Sequence, residues 1–312
     1  MGSKSIATRL ETWFATARRD MPWRREVTPY GSYLSEIMLQ QTTYAGAIGH
    51  YNRFLAAFPT VEALAAAPES AVLKAWEGLG YYARARNLLK AAKRIVADGW
   101  PSTVEGWQAL PGVGPYTAAS LASILNGVRR SVVDGNVARV FARHWALTDD
   151  FRAQGARARL AARLDREMAR AKVPGDFNQA MMELGALVCT PKSPDCASCP
   201  LAATCAARRE GRQEDFPFRP ERKPLPVRRR AAVLVTDGEG KVLLVQNTEG
   251  GLLKGLWDLP TLDHALDYRQ TFTHFRLDLA VERAKAGARF VDPAAVPLTT
   301  AARKILDQLG RP

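Results

Sequence analysis

Cys189, Cys196, Cys199 and Cys205 are the only cysteines of the chain, and they fall within 17 positions as C-x6-C-x2-C-x5-C. Four thiols gathered in one short loop suit a soft cation, and thiolate-only ligation serves zinc and iron-sulfur clusters alike. Structural zinc sites more often pair two C-x2-C units, whereas here a single pair is flanked by lone cysteines; two local disulfides or reduced thiols are the remaining readings. A second group lies in LPGVGPYTAASLASIL, residues 110–125, where Gly112 and Gly114 directly precede a helix opened by Pro115. Glycines there let the backbone turn tightly and approach a ligand, and the free N–H groups of a helix start suit a phosphate. An ordinary turn is the bland alternative. No strand precedes the glycines, as a dinucleotide fold would require. The four histidines, His50, His144, His264 and His274, show no metal-ligand spacing, and His50 and His144 read as helix residues without a chemical role.

These groups need a frame. Residues 4–205 read almost entirely as helices, with apolar positions at helical spacing in Ile6, Leu10, Trp13 and Phe14, in Ile48, Tyr51, Phe54 and Leu55, and in Leu88, Leu89, Ala92 and Ile95. Pro68 is placed to open a helix, and Gly78 and Gly80 to close the next. Residues 206–227 change character, with Pro217, Pro220, Pro224 and Pro226 interleaved among charges, and predict an extended basic linker. Beyond it RAAVLVT and KVLLVQN flank a polar Gly-containing turn and predict a β-hairpin. Thr271–Val281 predicts a further strand, and 299–309 a closing helix.

Lys and Arg outnumber Asp and Glu by 44 to 31, a net charge of +13 that suits a polyanionic partner. The start, MGSKSIATRLETWF, has no apolar signal region, and nowhere do apolar residues run long enough to span a bilayer. The expectation is a cytoplasmic, DNA-associated bacterial protein, monomeric and without a membrane partner.

The hairpin LPGVGPYT, then Asp134 in VVDGNVARVFAR, then the four-cysteine loop together resemble the endonuclease III superfamily of DNA glycosylases. That resemblance implies that the hairpin grips a DNA backbone, that Asp134 is catalytic, and that the cysteines hold a 4Fe-4S cluster. Lyases of the superfamily carry a hairpin Lys as Schiff-base nucleophile; here the position is Tyr116, so a monofunctional glycosylase is implied. MPWRREVTPYGSYLSEIMLQQT, residues 21–42, and GLGYYARARNLLKAA, residues 78–92, resemble the MutY adenine glycosylases, which remove adenine mispaired with 8-oxoguanine. The likeness covers about 200 residues almost without a gap.

Breaking an adenine N-glycosidic bond needs a proton donor on one side and negative charge on the other, a task for two carboxylates. By resemblance Glu36 protonates the base, and Asp134 stabilises the sugar cation or forms a covalent adduct with it. Leu34, Ile37, Met38 and Leu39 leave Glu36 in apolar company, which should raise its pKa. A helix N-cap is the plain role for Asp134. The flipped base leaves a gap in the duplex. The resemblance assigns Gln41 to the stack, Tyr81 to a wedge beside the lesion, and Gln40 to the support of the same helix end. Tyr116 and Asn136 would frame the sugar and Asp134, and Trp23, Arg24 and Gln179 would line the adenine pocket.

The C-terminal part resembles the Nudix-like second domain of the same family. The Glu array that a working pyrophosphohydrolase needs for magnesium is missing after GLWDLP, residues 255–260, so that chemistry is not expected. Phe272, Thr273 and His274, in FTHF, resemble the loop that relatives use to read 8-oxoguanine. The domain is short between Pro260 and Thr271. The expectation is thus a multi-domain chain: an all-α helix-hairpin-helix glycosylase region with a 4Fe-4S loop (1–205), a basic Pro-rich linker (206–227), and a shortened Nudix-like α+β lesion-recognition domain (228–312). Its expected partner is double-stranded DNA holding A:8-oxoguanine or A:G. A thymine glycosylase acting on T:G, a non-enzymatic DNA-binding iron-sulfur protein and a Nudix hydrolase are the alternatives; relatives of the first lack the C-terminal domain, the Gln40–Gln41 pair also favours the MutY likeness, and the second has no reason to keep both carboxylates.

Overall fold

Most helix starts among the described residues are marked by a hydroxyl or carboxylate cap, a proline, or both. Ser5, Thr28, Thr43, Thr60, Thr103 and Asp134 each accept a backbone N–H from the first turn that follows them, while Pro22, Pro29, Pro115 and Pro174 occupy first helical positions. The resulting helices are α1 (Ile6–Ala17), α2 (Pro22–Arg25), α3 (Pro29–Leu39), α4 (Tyr44–Ala57), α5 (Val61–Ala66), α6 (Glu69–Ala75), α7 (Ala83–Asp98), α8 (Val104–Gln108), α9 (Pro115–Asn126), α10 (Gly135–Trp145), α11 (Gln154–Met168), α12 (Pro174–Leu187) and α13 (Ala206–Arg209). Strands β1 (Val227–Val235), β2 (Val242–Leu243), β3 (Val245–Gln246), β4 (Trp257–Asp258), β5 (Thr261–Leu262), β6 (Tyr268–Thr271), β7 (Arg276–Ala284) and β8 (Phe290–Val291) follow, then α14 (Thr300–Gln308). This computed structural model describes residues 5–218, 227–237, 241–248, 253–262, 268–271, 276–284 and 290–308, of which 154, 227–231, 233, 261–262, 268–271, 276–284 and 290 are described by backbone alone. No helix among the described residues is long and apolar enough to cross a membrane.

The chain divides into two compact units that interleave along the sequence: residues 1–41 with 94–221, and residues 42–93 with 222–312. In the first unit the apolar faces of α1, α10, α11 and α12 close on one core that includes Leu10, Phe14, Val137, Phe141, Leu160, Leu164, Met181 and Leu184. Two glycines of α12 let it approach its neighbours closely. A Cβ at Gly175 would lie 2.8 Å from the Ile124 Cα of α9, and one at Gly185 would lie 2.6 Å from the Asn136 Cβ of α10. Tyr33 of α3 packs against Trp100 and Trp107 at ring separations of 6.4 and 5.9 Å.

In the second unit Phe54 of α4 meets Phe58 and the buried Trp76 at 5.0 and 5.8 Å. The C-terminal strands form a sheet in the order β5-β1-β7-β6, with β1 parallel to β7 and the other pairs antiparallel, beside the short ladders β2-β8 and β3-β4. Leu234, Val242, Leu244, Leu298, Ile305 and Leu306 make its core. Helical and C-terminal residues meet here: the Tyr82 hydroxyl donates to the Leu298 carbonyl at 3.0 Å, Lys74 Nζ to the Val296 carbonyl at 3.1 Å, and Arg303 Nε to Glu77 Oε1 at 2.5 Å.

Three sequence expectations take a different form. The linker expected from residue 206 is folded at its start: α13 and a 3-10 turn at Gln213–Asp215 lead to Phe216, and Ala207 and Phe216 enter the first unit's core. The expected hairpin after it is reduced to a Thr236–Val242 bridge, because β1 spends its hydrogen bonds on β5 and the long parallel ladder with β7. The single strand expected at Thr271–Val281 is divided between β6 and β7, which pair antiparallel with Thr271 opposite Arg276.

Candidate functional site

Glu36 and Asp134 are brought together in the first unit from α3 and from the cap of α10. Ser120 Oγ, fully buried on α9, donates to Glu36 Oε1 at 3.0 Å. Withdrawal from water pushes the Glu36 carboxyl up to about 7, with the charge of Asp134 adding to the rise and Ser120 and Arg24 opposing it. A carboxyl poised there keeps a transferable proton near neutral pH. Desolvation also raises Asp134, against the Val137 N–H at 2.7 Å on Oδ1 and the Asn136 amide at 3.1 Å on Oδ2. Asp134 therefore caps α10 and faces Glu36 electrostatically at once.

Asn136 is itself oriented. Arg139 Nη2 donates to Asn136 Oδ1 at 2.8 Å and to the Gly185 carbonyl at 2.7 Å, while Arg139 Nε donates to the Cys189 carbonyl at 2.7 Å. Asn136 thus turns its amide nitrogen toward Asp134, and only the absence of a side chain at Gly185 admits it. On the approach to Asp134, buried Asn178 accepts the Val132 N–H at 3.1 Å and donates to the Arg130 carbonyl at 2.9 Å and to Ser123 Oγ at 2.8 Å. Tyr116, on the first turn of α9, directs its hydroxyl to Met182 Sδ at 2.8 Å.

Arg24 donates from Nε to Gln179 Oε1 and from Nη1 to Glu183 Oε1, both at 2.9 Å, which joins α2 to α12. Trp23 beside it is buried. Glu183 is 1% exposed and also receives the Arg19 side chain at 2.6 Å and the Arg19 N–H at 2.9 Å. Desolvation works against its charge, yet the hydrogen bonds from Arg19 and Arg24 hold its carboxyl down at about 2. Ser120, Arg139, Asn178 and Glu183 were not singled out from sequence. The available signal was polar side chains at one-turn spacing in otherwise apolar helices, as in Asn178, Gln179 and Glu183.

At the hairpin, Gly112 takes the left-handed conformation at φ 78°, which a side chain would resist, whereas Gly114 caps α9 at φ −85° with open space where a Cβ would point. Gln40 Nε2 donates to Thr117 Oγ1 of α9 at 3.2 Å, tying the end of α3 to that helix. Gln41 is exposed and left-handed at φ 58°. In the second unit Tyr81 is left-handed as well, at φ 48°, after Gly78 and Gly80 at φ 91° and 66°. Non-glycine residues in this region mark strain that a fold keeps for a reason. Phe272, Thr273 and His274 lie outside the described residues.

All four cysteines border one pocket, together with Val140, Arg143, Leu184, Val188, Leu201 and Gln213. Arg143 Nη1 lies 3.5 Å from Cys189 Sγ, and Gln213 Nε2 lies 3.7 Å from Cys196 Sγ. Burial pushes the Cys199 thiol up to about 11 and raises Cys205, with the other thiols adding to both. Four thiolates therefore fit this cavity only around a cation that offsets their charge. Among the described residues no three His, Cys, Asp or Glu converge on one ion.

Residues 34–165 match the HhH-GPD superfamily base excision DNA repair protein family, a span that holds Glu36, the hairpin and Asp134. The adenine DNA glycosylase of Homo sapiens is 36% identical over 310 residues, an alignment covering 81% of this chain and 56% of the human protein. That of Buchnera aphidicola subsp. Acyrthosiphon pisum is 32% identical over 258 residues, covering 80% and 72%. The chain thus spans less than two thirds of the human relative's length. Among solved structures, a thermostable thymine-DNA glycosylase superposes with a TM-score of 0.58 at 26% identity, over 65% of this chain and 95% of that one.

Proposed function

Since the chain belongs to the adenine DNA glycosylases of the HhH-GPD superfamily, we propose that it hydrolyses the N-glycosidic bond of adenine in mispaired double-stranded DNA. The observation that carries this reading is the Glu36–Asp134 pair, one carboxyl held near pKa 7 and the other fixed by a helix start. With adenine rotated out of the duplex, Glu36 protonates the base. The bond from C1′ to the base nitrogen breaks with its electron pair leaving on adenine, and Asp134 offsets the positive charge left on the sugar. Water then supplies hydroxide to C1′ and releases a proton. Asn136 keeps the Asp134 carboxylate aligned, and Tyr116, whose phenol cannot form an imine, leaves the abasic strand uncut.

Trp23, Arg24 and Gln179 line the adenine pocket in this reading. Arg24, locked onto Gln179 and Glu183, presents Gln179 in one orientation. Gln41 and Tyr81 fill the stack, Gln40 supports the first of them, and the start of α9 between Gly112 and Tyr116 binds a backbone phosphate. Cys189, Cys196, Cys199 and Cys205 would hold a 4Fe-4S cluster, which when bound staples the loop to α10 and α12. The sheet domain serves as the shortened Nudix-like module, with Phe272, Thr273 and His274 reading 8-oxoguanine.

Single-turnover assays on duplexes with A:8-oxoguanine, A:G, A:C and T:G, followed by alkali, test the proposal. Release at A:8-oxoguanine and A:G is expected. Turnover of T:G alone would overturn the adenine assignment, and strand scission without alkali would overturn the inference from Tyr116. Iron and acid-labile sulfide in the purified protein test the cluster.

A further inference from the structure

The turn from α6 to α7 carries Tyr81 in a conformation that its own side chain disfavours. Glycines at 78 and 80 take left-handed angles freely, but Tyr81 at φ 48° has no such freedom. Something must hold it there. Trp76 Nε1 donates to the Gly80 carbonyl at 3.1 Å. The main contribution comes from the other side of the turn, where Arg84 Nη2 donates to the Leu79 carbonyl at 2.9 Å and reaches the Gly80 carbonyl at 3.3 Å. The same guanidinium lies over the Tyr81 ring at 5.6 Å and over the Trp76 ring at 5.3 Å. It also reaches Thr42 Oγ1 at 3.3 Å, and Thr42 follows directly on Gln41, the other left-handed residue assigned to the stack.

Arg84 is only 9% exposed, so it is not a surface cation waiting for a phosphate. Burial lowers its pKa to about 10, opposed by Tyr81, and it still carries its charge at neutral pH. A planar fork that bonds two carbonyls of the turn while covering an aromatic ring is a task that Lys, a point charge on a flexible stem, does not perform.

We propose that Arg84 is a positioning residue for DNA engagement, setting Tyr81 through the turn that carries it. The proposal rests on the stack-filling role given above to Tyr81. Its consequence is that Arg84 contributes to binding only while the Tyr81 side chain is present. A merely structural residue contributes whether or not it is.

A double-mutant cycle reads that difference. Binding of the full chain to a duplex with a tetrahydrofuran abasic analogue opposite guanine is measured for wild type, Arg84→Lys, Tyr81→Leu and the double variant. Each single variant is expected to weaken binding about tenfold, the lower range of what a base–aromatic stack contributes, and the double variant to match Tyr81→Leu within about twofold. Losses that multiply would overturn the proposal. Where Arg84→Lys does not fold, Thr42→Val, which removes one anchor of the same guanidinium, is paired with Tyr81→Leu: a loss confined to the background that keeps Tyr81 supports the coupling, and an equal loss or none in both overturns it. The abasic duplex needs no excision. Wild-type protein that fails to prefer it over intact duplex therefore sinks the glycosylase reading, whereas multiplying losses sink the role of Arg84 alone.

Discussion

Replacing Glu36 by Gln keeps the size, the planar end group and the acceptor for Ser120 Oγ, and removes the proton. Two effects of opposite sign follow from the same burial. Loss of a positioned general acid is expected to slow single-turnover adenine release by about 10²–10⁴-fold. Stability moves the other way. In the unfolded chain Glu36 titrates at its ordinary value of 4.5, and in the fold at about 7. The folded state holds the extra proton between those values, so stability is full below pH 4.5 and falls as pH rises to 7. At about 1.4 kcal/mol per pH unit the loss approaches ~3 kcal/mol. Glu36→Gln, which never ionises, should therefore unfold at higher denaturant concentration than wild type at pH 8 and show no such gain at pH 4. Wild-type turnover should decline above pH 7 as the acid form is lost, and the variant's residual rate should lack that limb. Urea titrations at the two pH values and a pH–rate profile supply the measurements. A variant within threefold of wild-type rate, or one less stable than wild type at pH 8, would refute the assignment of Glu36 as a buried proton donor.

Asp134→Asn keeps the cap on Val137 but loses the charge and turns the oxygen that accepts the Asn136 amide into a donor, so release should fall about 10²–10³-fold and stability by about 1–2 kcal/mol; single-turnover rates and urea midpoints check both. Glu183→Gln leaves Arg19 and Arg24 without their shared anion and should destabilise by about 3–5 kcal/mol at neutral pH, read by denaturation. In wild type the depressed Glu183 pKa gives a contribution that is full above pH 4.5 and lost as pH falls toward 2, and acid titration of the variant should lack that component. Gly185→Ala places a methyl 2.6 Å from the Asn136 Cβ and should cost about 1–3 kcal/mol by overpacking. It should also lower the rate with little change in DNA affinity, separable by single-turnover kinetics at saturating protein.

Much of the site could be read before any coordinate. Glu36 stands among Leu34, Ile37, Met38 and Leu39, and that apolar company is the desolvation that moves its carboxyl. Pro115 after Gly114, and Asp134 before Gly135, announce helix starts. The early folding of residues 206–216 was not legible, because one buried aromatic, Phe216, outweighs the prolines that follow it only when a core is present to receive it. Arg139 and Glu183 were illegible for a related reason: a charged side chain on an amphipathic helix reads as solvated until its partners arrive from elements 50 and 164 residues away.

Local chemistry, then, was settled by the order of residues alone: which helices start where, and which four thiols share a loop. Such features depend on neighbours a few positions apart, and short-range sterics and hydrogen bonding decide them. What tertiary structure alone decided is electrostatic and conformational. It placed Ser120 on Glu36, closed the chain from Arg139 through Asn136 to Asp134, buried Glu183 between two arginines, and set Arg84 over a left-handed Tyr81. Each depends on desolvation and on partners distant in sequence, quantities that exist only once the chain has folded.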